Sequence, residues 1–333
     1  MLTKLKKFLL LAAVIMFSAN SFAQTEIEKI IKEGISLHDK GNFKGAVTLY
    51  NKVLAKDPNS TIALAELANT YLALKDYGNA IRYSDKVIDQ KKENLLLAYM
   101  VKGTALDELN KSDEAITVYQ EGLSKGGNHF LLQYNLGLVY YKIKDVAKAE
   151  QAFTSAVLLN PSHSSSHLML GLLMTEQNEK SKSILAYFYF LLLEPSSERA
   201  KEVYKSVMNN LATTSNSNDT NEIKLKANSI QGFGALDLAL ELLLVSRPKE
   251  LKEDIDQLEY ITRAFFNMAH ELKKEQSNFW WNFYVPFFYK ISKENQNRVF
   301  CYFISQGVKT DSKNWVLSNN DKISSFINVL KSN

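Results

Sequence analysis

The sequence predicts an all-α protein in which about five similar helix pairs are followed by a second helical region. Three observations lead to this prediction. Small residues recur at intervals of 34 or 35 residues, at Gly34, Ala68, Gly103, Gly137 and Gly171. Twelve residues after each comes another small residue, at Ala46, Ala80, Ala115, Ala149 and Ser183. Pro58, Pro161 and Pro195 share one further phase, and a fixed period of this length indicates a stack of repeated units.

The small residues have a physical reason to recur inside helices. Two antiparallel helices cross closely only where neither carries a large side chain, and bulky residues beside the crossing fill the remaining space. Large residues take this second role at Tyr50, Tyr119, Phe153 and Tyr187, whereas the second copy has Ser84. Glycine in a helix interior costs about 1 kcal/mol relative to alanine, so its recurrence indicates a packing contact.

These columns resemble the tetratricopeptide repeat, a helix–turn–helix unit of 34 residues. The fourth copy fits that pattern most fully, at Gly137, Tyr140, Ala149, Phe153, Ala156 and Pro161. The resemblance covers residues 27–197 and implies a right-handed superhelical solenoid in which each unit buries its apolar face against the next. The third copy is preceded by one extra residue. In the fifth copy, Met174 stands where the pattern has an aromatic residue, and Ser183 and Phe190 stand where it has small residues. We therefore expect the two helices of this copy to be splayed.

Residues 1–23 have the layout of a secretory signal peptide. Three lysines precede an apolar run of ten residues from Phe8 to Phe17, and Ser21 and Ala23 are the small residues expected before a cleavage site. A membrane anchor would need about 20 apolar residues, so we expect cleavage and a mature chain that begins at Gln24. Because Gln24 is not cysteine, the usual bacterial lipid attachment is not expected. These features predict a Sec-exported, periplasmic protein that is not an integral membrane protein.

Charge disfavours nucleic acid as a partner. The sequence has 40 basic and 36 acidic residues, and removal of the signal peptide would take away three lysines and no acid. The mature chain is therefore close to neutral, whereas nucleic-acid binding requires a basic face.

Composition divides the mature chain into three predicted parts. Residues 24–211 form the repeats and a capping helix, residues 212–222 a polar linker, and residues 223–333 a helical C-terminal domain. Eight of the thirteen residues in 279–291, FWWNFYVPFFYKI, are aromatic. Two interpretations are open: the segment forms a core and a seam against the repeats, or it is a stacking platform for sugars or peptides. Pro286 is expected to kink the helix or to restart it.

No catalytic centre emerges from the sequence. It contains no P-loop, GxSxG or HExxH motif. His163 and His167 have the i, i+4 spacing of paired metal ligands, but no third ligand is evident nearby. We therefore expect no enzyme activity, no cofactor and no metal.

The remaining functional candidate is the surface that the first helices of the repeats form. The resemblance implies that certain positions of these helices bind a partner. In this chain they include Ile31, Ile35, Asn69, Leu72, Met100, Tyr134, Leu138, Tyr141, Leu168 and Leu172. The family's carboxylate clamp, which needs Lys and Asn in the first copy, is not expected, because Ile31 and Ile35 stand there.

An apolar surface of this kind suits an amphipathic helix or an extended apolar segment. Its occupant could be a partner protein of unknown identity or the chain's own residues 223–333, folded back as a lid. We therefore expect a protein–protein interaction scaffold, or adaptor, in the bacterial cell envelope. The alternative is a carbohydrate- or peptidoglycan-associated module that uses the aromatic residues of 279–291.

Overall fold

A computed structural model describes residues 25–212, 231–273 and 276–332. The predicted signal peptide and residues 213–222 of the predicted linker lie outside these residues, so the predicted domain boundaries stay predictions. The described residues are helical and contain no strand. None of their helices combines the length and the apolar character needed to cross a membrane. The chain divides into two compact units, residues 1–149 and 150–333.

Unit 1 consists of helix pairs in chain order. Its helices are α1 (25–39), α2 (Phe43–Lys56), α3 (Thr61–Ala73), α4 (Tyr77–Gln90), α5 (Leu95–Glu108), α6 (Ser112–Lys125), α7 (Phe130–Lys142) and the start of α8 (Val146–Leu159). Each odd-numbered helix is the first helix of a pair, and the next helix is its second. Polar side chains begin several of these helices: Asn42 and Asp76 each accept a hydrogen bond of 3.1 Å from a backbone N–H three residues later.

The turn within each pair repeats with the period of the sequence. One residue per turn has a left-handed backbone conformation, with φ between 57° and 77°, at Gly41, Lys75, Asn110, Lys144 and Asn178. The extra residue before the third copy lies in the loop between α4 and α5, where Lys91 and Asn94 are also left-handed. The insertion is therefore absorbed in a loop, and the helix pairs keep their length.

The small residues lie where the two helices of a pair meet. The ring of Tyr119 on α6 covers Gly103 on α5, and a Cβ atom on Gly103 would lie 2.5 Å from that ring. Tyr50 covers Gly34 in the same way, at 2.6 Å. The predicted packing residues of unit 1 are all buried, at Gly34, Ala46, Ala68, Ala80, Gly103, Ala115, Gly137 and Ala149.

Successive pairs share their cores. One cluster joins Ala68 of α3, Ala80 of α4 and Val101 and Ala105 of α5. Because this cluster includes residues from two pairs, the second pair buries its apolar face against the third, as expected of a repeat protein.

Unit 2 contains the fifth pair and the C-terminal helices. They are the end of α8, α9 (Ser164–Glu176), α10 (Lys180–Leu193), α11 (Glu198–Leu211), α12 (Phe233–Val245), α13 (Asp254–Lys273), α14 (Phe279–Lys293), α15 (Asn297–Ser305), α16 (Thr310–Ser318) and α17 (Asn320–Lys331).

The expected splaying of the fifth pair is wrong. The ring of Tyr187 on α10 covers Gly171 on α9 as in the other pairs. Ser183 is fully buried, and its hydroxyl donates a hydrogen bond of 3.1 Å to the carbonyl of Gly171. Serine is small enough for the crossing, and this bond satisfies its buried hydroxyl.

Helix α10 is the centre of unit 2. Its buried residues face in all directions, as expected for a helix that is apolar all round. Phe188 lies among Phe266 of α13, Phe288 of α14 and Phe300 of α15, with ring centroids 6.0, 6.1 and 5.2 Å away. The C-terminal helices thus pack around the second helix of the fifth pair.

Asp237 of α12 also ties the C-terminal helices to α10. Its carboxylate accepts a hydrogen bond of 2.6 Å from the backbone N–H of Ser181, in the first turn of α10. The helix's own N-cap residue, Glu179, makes no side-chain capping bond. A residue of one helix therefore caps another, where a negative charge also favours the helix dipole.

Candidate partner-binding surface

Most of the predicted partner-binding residues lie half-exposed on the first helices. In unit 1, α3 contacts α5 and α5 contacts α7, so the first helices lie side by side. We define the first-helix surface by the half-exposed residues Ile35, Asn69, Leu72, Met100, Tyr134, Leu138 and Tyr141. Ile31 differs: it is 5% exposed and packs against Val53 and Ala63. It belongs to the core because its helix face meets the next pair, so its assignment to the surface was wrong.

In unit 2, Leu168 and Leu172 of α9 are half-exposed as well. Gly171, between them in the sequence, faces the other way and is buried beneath Tyr187. One helix therefore presents a packing face and a second, more open face.

Hydrogen bonds and an ion pair fix α7 against its neighbours. The Tyr119 hydroxyl lies 2.9 Å from Thr104 Oγ1 on α5 and is also hydrogen-bonded to the Asn135 side chain on α7. Lys142 at the end of α7 donates to the backbone carbonyl of Asp107 at 2.9 Å and forms an ion pair with its carboxylate at 3.0 Å. The part of the surface with Met100, Tyr134 and Leu138 is therefore held in a defined geometry.

The corresponding part of the first two pairs is different. The Tyr50 hydroxyl is buried, and no described residue forms a hydrogen bond with it. Burial raises the pKa of Tyr50, and the charges of Glu66 and Asp39 raise it further. Burial and the charge of Asp39 raise the pKa of Glu66. Sequence reasoning missed this acidic site, although a comparison of equivalent positions, Glu66 with Asn135 and Ala73 with Lys142, would have indicated it.

Four of the eight aromatic residues in segment 279–291 lie in the core, and the other four are half-exposed. Trp280 and Trp281 are 2% and 1% exposed, and Tyr284 and Phe288 are fully buried. Neither tryptophan has an exposed ring face on which a sugar could stack. Pro286 does not restart the helix: α14 is continuous from Phe279 to Lys293, and Pro286 lies on its exposed side, where water can bond the carbonyl that proline leaves free.

His167 is a core residue that joins the fifth pair to α14. Its Nε2 lies 2.9 Å from the Pro161 carbonyl, which can only accept, so Nε2 carries the proton. Nδ1 then accepts a hydrogen bond of 2.7 Å from the Tyr284 hydroxyl. Burial lowers the pKa of His167 to about 4, so the ring is neutral at pH 7.

The histidine pair does not form a metal site. His163 Nδ1 lies 2.8 Å from Ser166 Oγ, and both nitrogens of His167 are engaged as described. Among residues 25–212, 231–273 and 276–332, no three His, Cys, Asp or Glu side chains are placed to hold a metal. Cys301 is buried, which raises the pKa of its thiol to about 12, so it is not a reactive thiolate at neutral pH.

Comparison with known proteins identifies the repeats. The family profile described as "Tetratricopeptide repeat" matches residues 100–162 and 134–189. The profile described as "Anaphase-promoting complex, cyclosome, subunit 3" matches residues 39–122. Together these matches extend from residue 39 to residue 189 of the predicted repeat region, residues 27–197.

Individual relatives share this repeat region at low identity. A TPR repeat-containing protein of Methanocaldococcus jannaschii is 25% identical over 123 residues, which are 37% of this chain and 21% of that protein. The peroxisomal targeting signal receptor of Kluyveromyces lactis is 20% identical over 240 residues, 69% of this chain and 42% of that protein. The chain thus spans less than half the length of either relative.

A solved structure is also similar to part of this chain at low sequence identity. The crystal structure of a thermophilic TPR protein from Thermus thermophilus is 20% identical, with a TM-score of 0.47, over 56% of this chain and 98% of that chain. The profile matches, together with the recurring turns and the glycine–tyrosine contacts, show that the matched part of this chain consists of tetratricopeptide repeats.

Proposed function

We propose that this protein is an exported interaction scaffold, or adaptor, of the bacterial cell envelope, and that unit 1 binds a segment of a partner protein on the first-helix surface. One observation carries the proposal. Met100 of α5 and Tyr134, Leu138 and Tyr141 of α7 are half-exposed on adjoining helices. Apolar and aromatic side chains that are grouped and still reachable from solvent are typical of the centre of a protein interface.

The chemistry of these residues favours a polypeptide. Tyrosine offers a large ring with few rotatable bonds, so little conformational entropy is lost on binding, and its hydroxyl can bond a peptide backbone. The fixed position of α7 limits the cost of ordering the site. The relative from Kluyveromyces lactis is by its name a receptor for a peroxisomal targeting signal.

The layout of residues 1–23 supports the proposal of export, which has a direct test. We expect N-terminal sequencing of the protein from cells to begin at Gln24, and fractionation to recover it with periplasmic proteins. A protein that retains Met1 in the cytoplasm would contradict the envelope role without affecting the binding role.

Binding is tested by a double substitution on α7. The variant with Leu138→Asp and Tyr141→Asp should retain its helical circular dichroism and lose the partner that co-purifies with the wild type. The control carries Thr117→Asp and Ser124→Asp, both exposed on the second helix α6, and adds the same charge elsewhere. Equal partner recovery with both variants would refute the proposed surface.

A further inference from the structure

One side of helix α14 in unit 2 carries a line of half-exposed aromatic rings. Phe279, Phe283 and Phe287 follow one another at intervals of four residues, so they lie on the same side of the helix. All three are half-exposed, whereas Trp281 and Phe288 on the opposite side are buried. The C-terminal helices therefore cover one side of α14 and leave aromatic rings within reach of solvent on the other.

Tyr189 of α10 joins these rings into one surface. It is half-exposed, and its ring centroid lies 5.4 Å from that of Phe283 and 4.7 Å from that of Phe287. The rings of Phe279 and Phe283 are nearly parallel, with 14° between their planes and 5.3 Å between their centroids. We call Phe279, Phe283, Phe287 and Tyr189 the aromatic row. Because Tyr189 contacts two neighbouring rings, the row is a continuous surface and not a series of separate ridges.

The same side of α14 continues into a polar cleft. Lys290 and Glu294 follow Phe287 by three and seven residues, so they extend the aromatic row along the helix. These two residues and α17 line an open cleft of about 640 Å³, to which α17 contributes Asp321, Ser324, Ser325 and Asn328. From Phe279 to Glu294 the helix rises by about 22 Å. The row and the cleft therefore form one elongated surface.

The polar groups of the cleft are available to a ligand. Within the part of the chain that the structure describes, no ion pair is formed by the three charged residues of the cleft, Lys290, Glu294 and Asp321. The same residues leave without a hydrogen bond the polar side chains of Ser324, Ser325 and Asn328. Ammonium groups only donate hydrogen bonds, carboxylates only accept them, and hydroxyl and amide groups do both. The cleft can therefore bond a ligand that is rich in both donors and acceptors.

The usual ways of holding a polypeptide do not fit this surface. Strand addition needs the edge of a sheet, and the described residues of unit 2 contain no strand. A bound helix needs an apolar groove, whereas charged, hydroxyl and amide side chains line this cleft. A proline-rich segment docks in a groove lined by aromatic residues, and Tyr189 fills the space beside Phe283 and Phe287.

A glycan chain has the complementary chemistry. The C–H face of a sugar ring is apolar and packs on an aromatic ring, while the hydroxyl groups at its rim both donate and accept hydrogen bonds. A β-1,4-linked glycan is also extended, as is the surface along α14. We propose that the aromatic row and the cleft bind the β-1,4-linked glycan backbone of peptidoglycan. The inference rests on the export part of the proposed function and is independent of the first-helix surface.

Two probes test the proposal on the full mature chain. Chitohexaose has the linkage and the acetylamino groups of the peptidoglycan backbone, and maltohexaose is an α-1,4-linked control of the same length. By isothermal titration calorimetry, we expect saturable binding of chitohexaose and at least roughly ten-fold weaker binding of maltohexaose, a discrimination equivalent to about one lost hydrogen bond or ring contact. The chain should also co-sediment with purified peptidoglycan sacculi. Failure to bind either chitohexaose or sacculi, or equal binding of maltohexaose, would overturn the proposal.

A substitution in the aromatic row tests the role of the rings. Phe283→Leu with Phe287→Leu keeps most of the apolar volume and removes two flat rings. We expect this variant to bind chitohexaose roughly ten-fold more weakly, with circular dichroism as the check on folding. Unchanged affinity in this variant would show that the rings do not contact the ligand.

A substitution in the cleft guards against effects on folding. Ser325→Ala with Asn328→Ala changes two exposed residues of α17, so the protein should melt like the wild type and bind chitohexaose roughly ten-fold more weakly. The matched control, Asn314→Ala with Ser318→Ala, removes the same groups from exposed positions of α16 and should bind normally. Equal affinity of the two variants would exclude the cleft from the site.

This proposal and the proposed function fail in different ways. Loss of a co-purifying protein, with normal chitohexaose binding, in the Phe283→Leu, Phe287→Leu variant would make this surface a protein-docking site and overturn the glycan site. The Leu138→Asp, Tyr141→Asp variant should bind chitohexaose normally, whatever becomes of the partner of unit 1. A mature chain that never leaves the cytoplasm would remove peptidoglycan as its ligand and would be detected by the sequencing and fractionation described above.

Discussion

Unit 1 and unit 2 use the same contact between paired helices but surround it differently. In unit 1 the second helix α4 buries only Ala80, Ser84 and Val87, and the first helices keep half-exposed residues on their other face. In unit 2 the second helix α10 is apolar all round and lies inside the C-terminal helices. The comparison shows that the glycine–tyrosine contact builds a pair, whereas the outward side chains decide whether the pair becomes a surface or a core.

The largest difference between the units is expected from truncation of an outward side chain. Phe188→Ala should destabilise unit 2 by about 3–5 kcal/mol, because it leaves a cavity among three aromatic rings. The control in unit 1, Leu109→Ala, removes a side chain that is 43% exposed and should cost less than about 0.5 kcal/mol. Urea unfolding followed by circular dichroism measures both. Similar losses would mean that α10 is not a core helix.

Enlarging the glycine of a pair should destabilise both units. Gly103→Leu should cost about 2–3 kcal/mol, since its Cβ alone would lie 2.5 Å from Tyr119. Gly171→Leu should cost more, because the helices around α10 prevent Tyr187 from moving aside. Gly78→Ala is the control: a Cβ there meets only Asp76 Oδ1, at 3.9 Å, so alanine should stabilise α4 by up to about 1 kcal/mol. Thermal melting would refute the packing account if Gly103→Leu melted like the wild type.

Unit 2 should lose stability in acid through His167. Its pKa is about 4 when folded, against 6.5 for an ordinary histidine, so the unfolded chain binds a proton first as the pH falls. Stability from this group is complete above about pH 6.5 and decreases until about pH 4, by roughly 3 kcal/mol in total.

Carboxylates also titrate in this range, so the comparison must be made against a variant. The free energy of unfolding of His167→Gln should depend less steeply on pH between 6.5 and 4 than that of the wild type, while the two curves differ little in shape above this window. Parallel curves throughout would show that the buried ring does not titrate as described.

The smallest predicted difference lies between two tyrosines. Tyr119→Phe should cost about 1 kcal/mol, because Thr104 and Asn135 lose a hydrogen-bond partner. Tyr50→Phe should cost nothing or stabilise slightly, since its hydroxyl has no partner in the described residues. The same substitution at equivalent positions thus controls for ring packing. Equal losses by urea unfolding would indicate that the Tyr50 hydroxyl is satisfied after all.

The repeat architecture could be predicted from the sequence because its cause is local and recurs. A small residue every 34 or 35 positions gave the register of the pairs, and the left-handed turns at Gly41, Lys75 and Asn110 have the same period. The fifth pair was misjudged because Ser183 was treated as a departure, although serine is small and its hydroxyl has a carbonyl acceptor at 3.1 Å.

The surroundings of the repeats could not be predicted in the same way. His167 and Tyr284 are 117 residues apart and belong to no common period, so nothing in the sequence indicates their contact. Ile31 was assigned to the surface by its repeat position alone, but the neighbouring Val53 and Ala63 bury it. The unbonded hydroxyl of Tyr50 was not predicted, because periodic analysis looks for residues that recur, whereas Glu66 differs from Asn135 at the equivalent position.

Site-specific photo-crosslinking in living cells tests most directly whether the first-helix surface of unit 1 binds another protein. A photoreactive phenylalanine analogue would replace Leu138 on this surface and, as a control, Thr117 on α6, and crosslinked peptides would be identified by mass spectrometry. We expect crosslinks from position 138, and not from position 117, to an apolar segment of another protein. Crosslinks from position 138 to the chain's own residues 231–332, or equal products from both positions, would contradict the account.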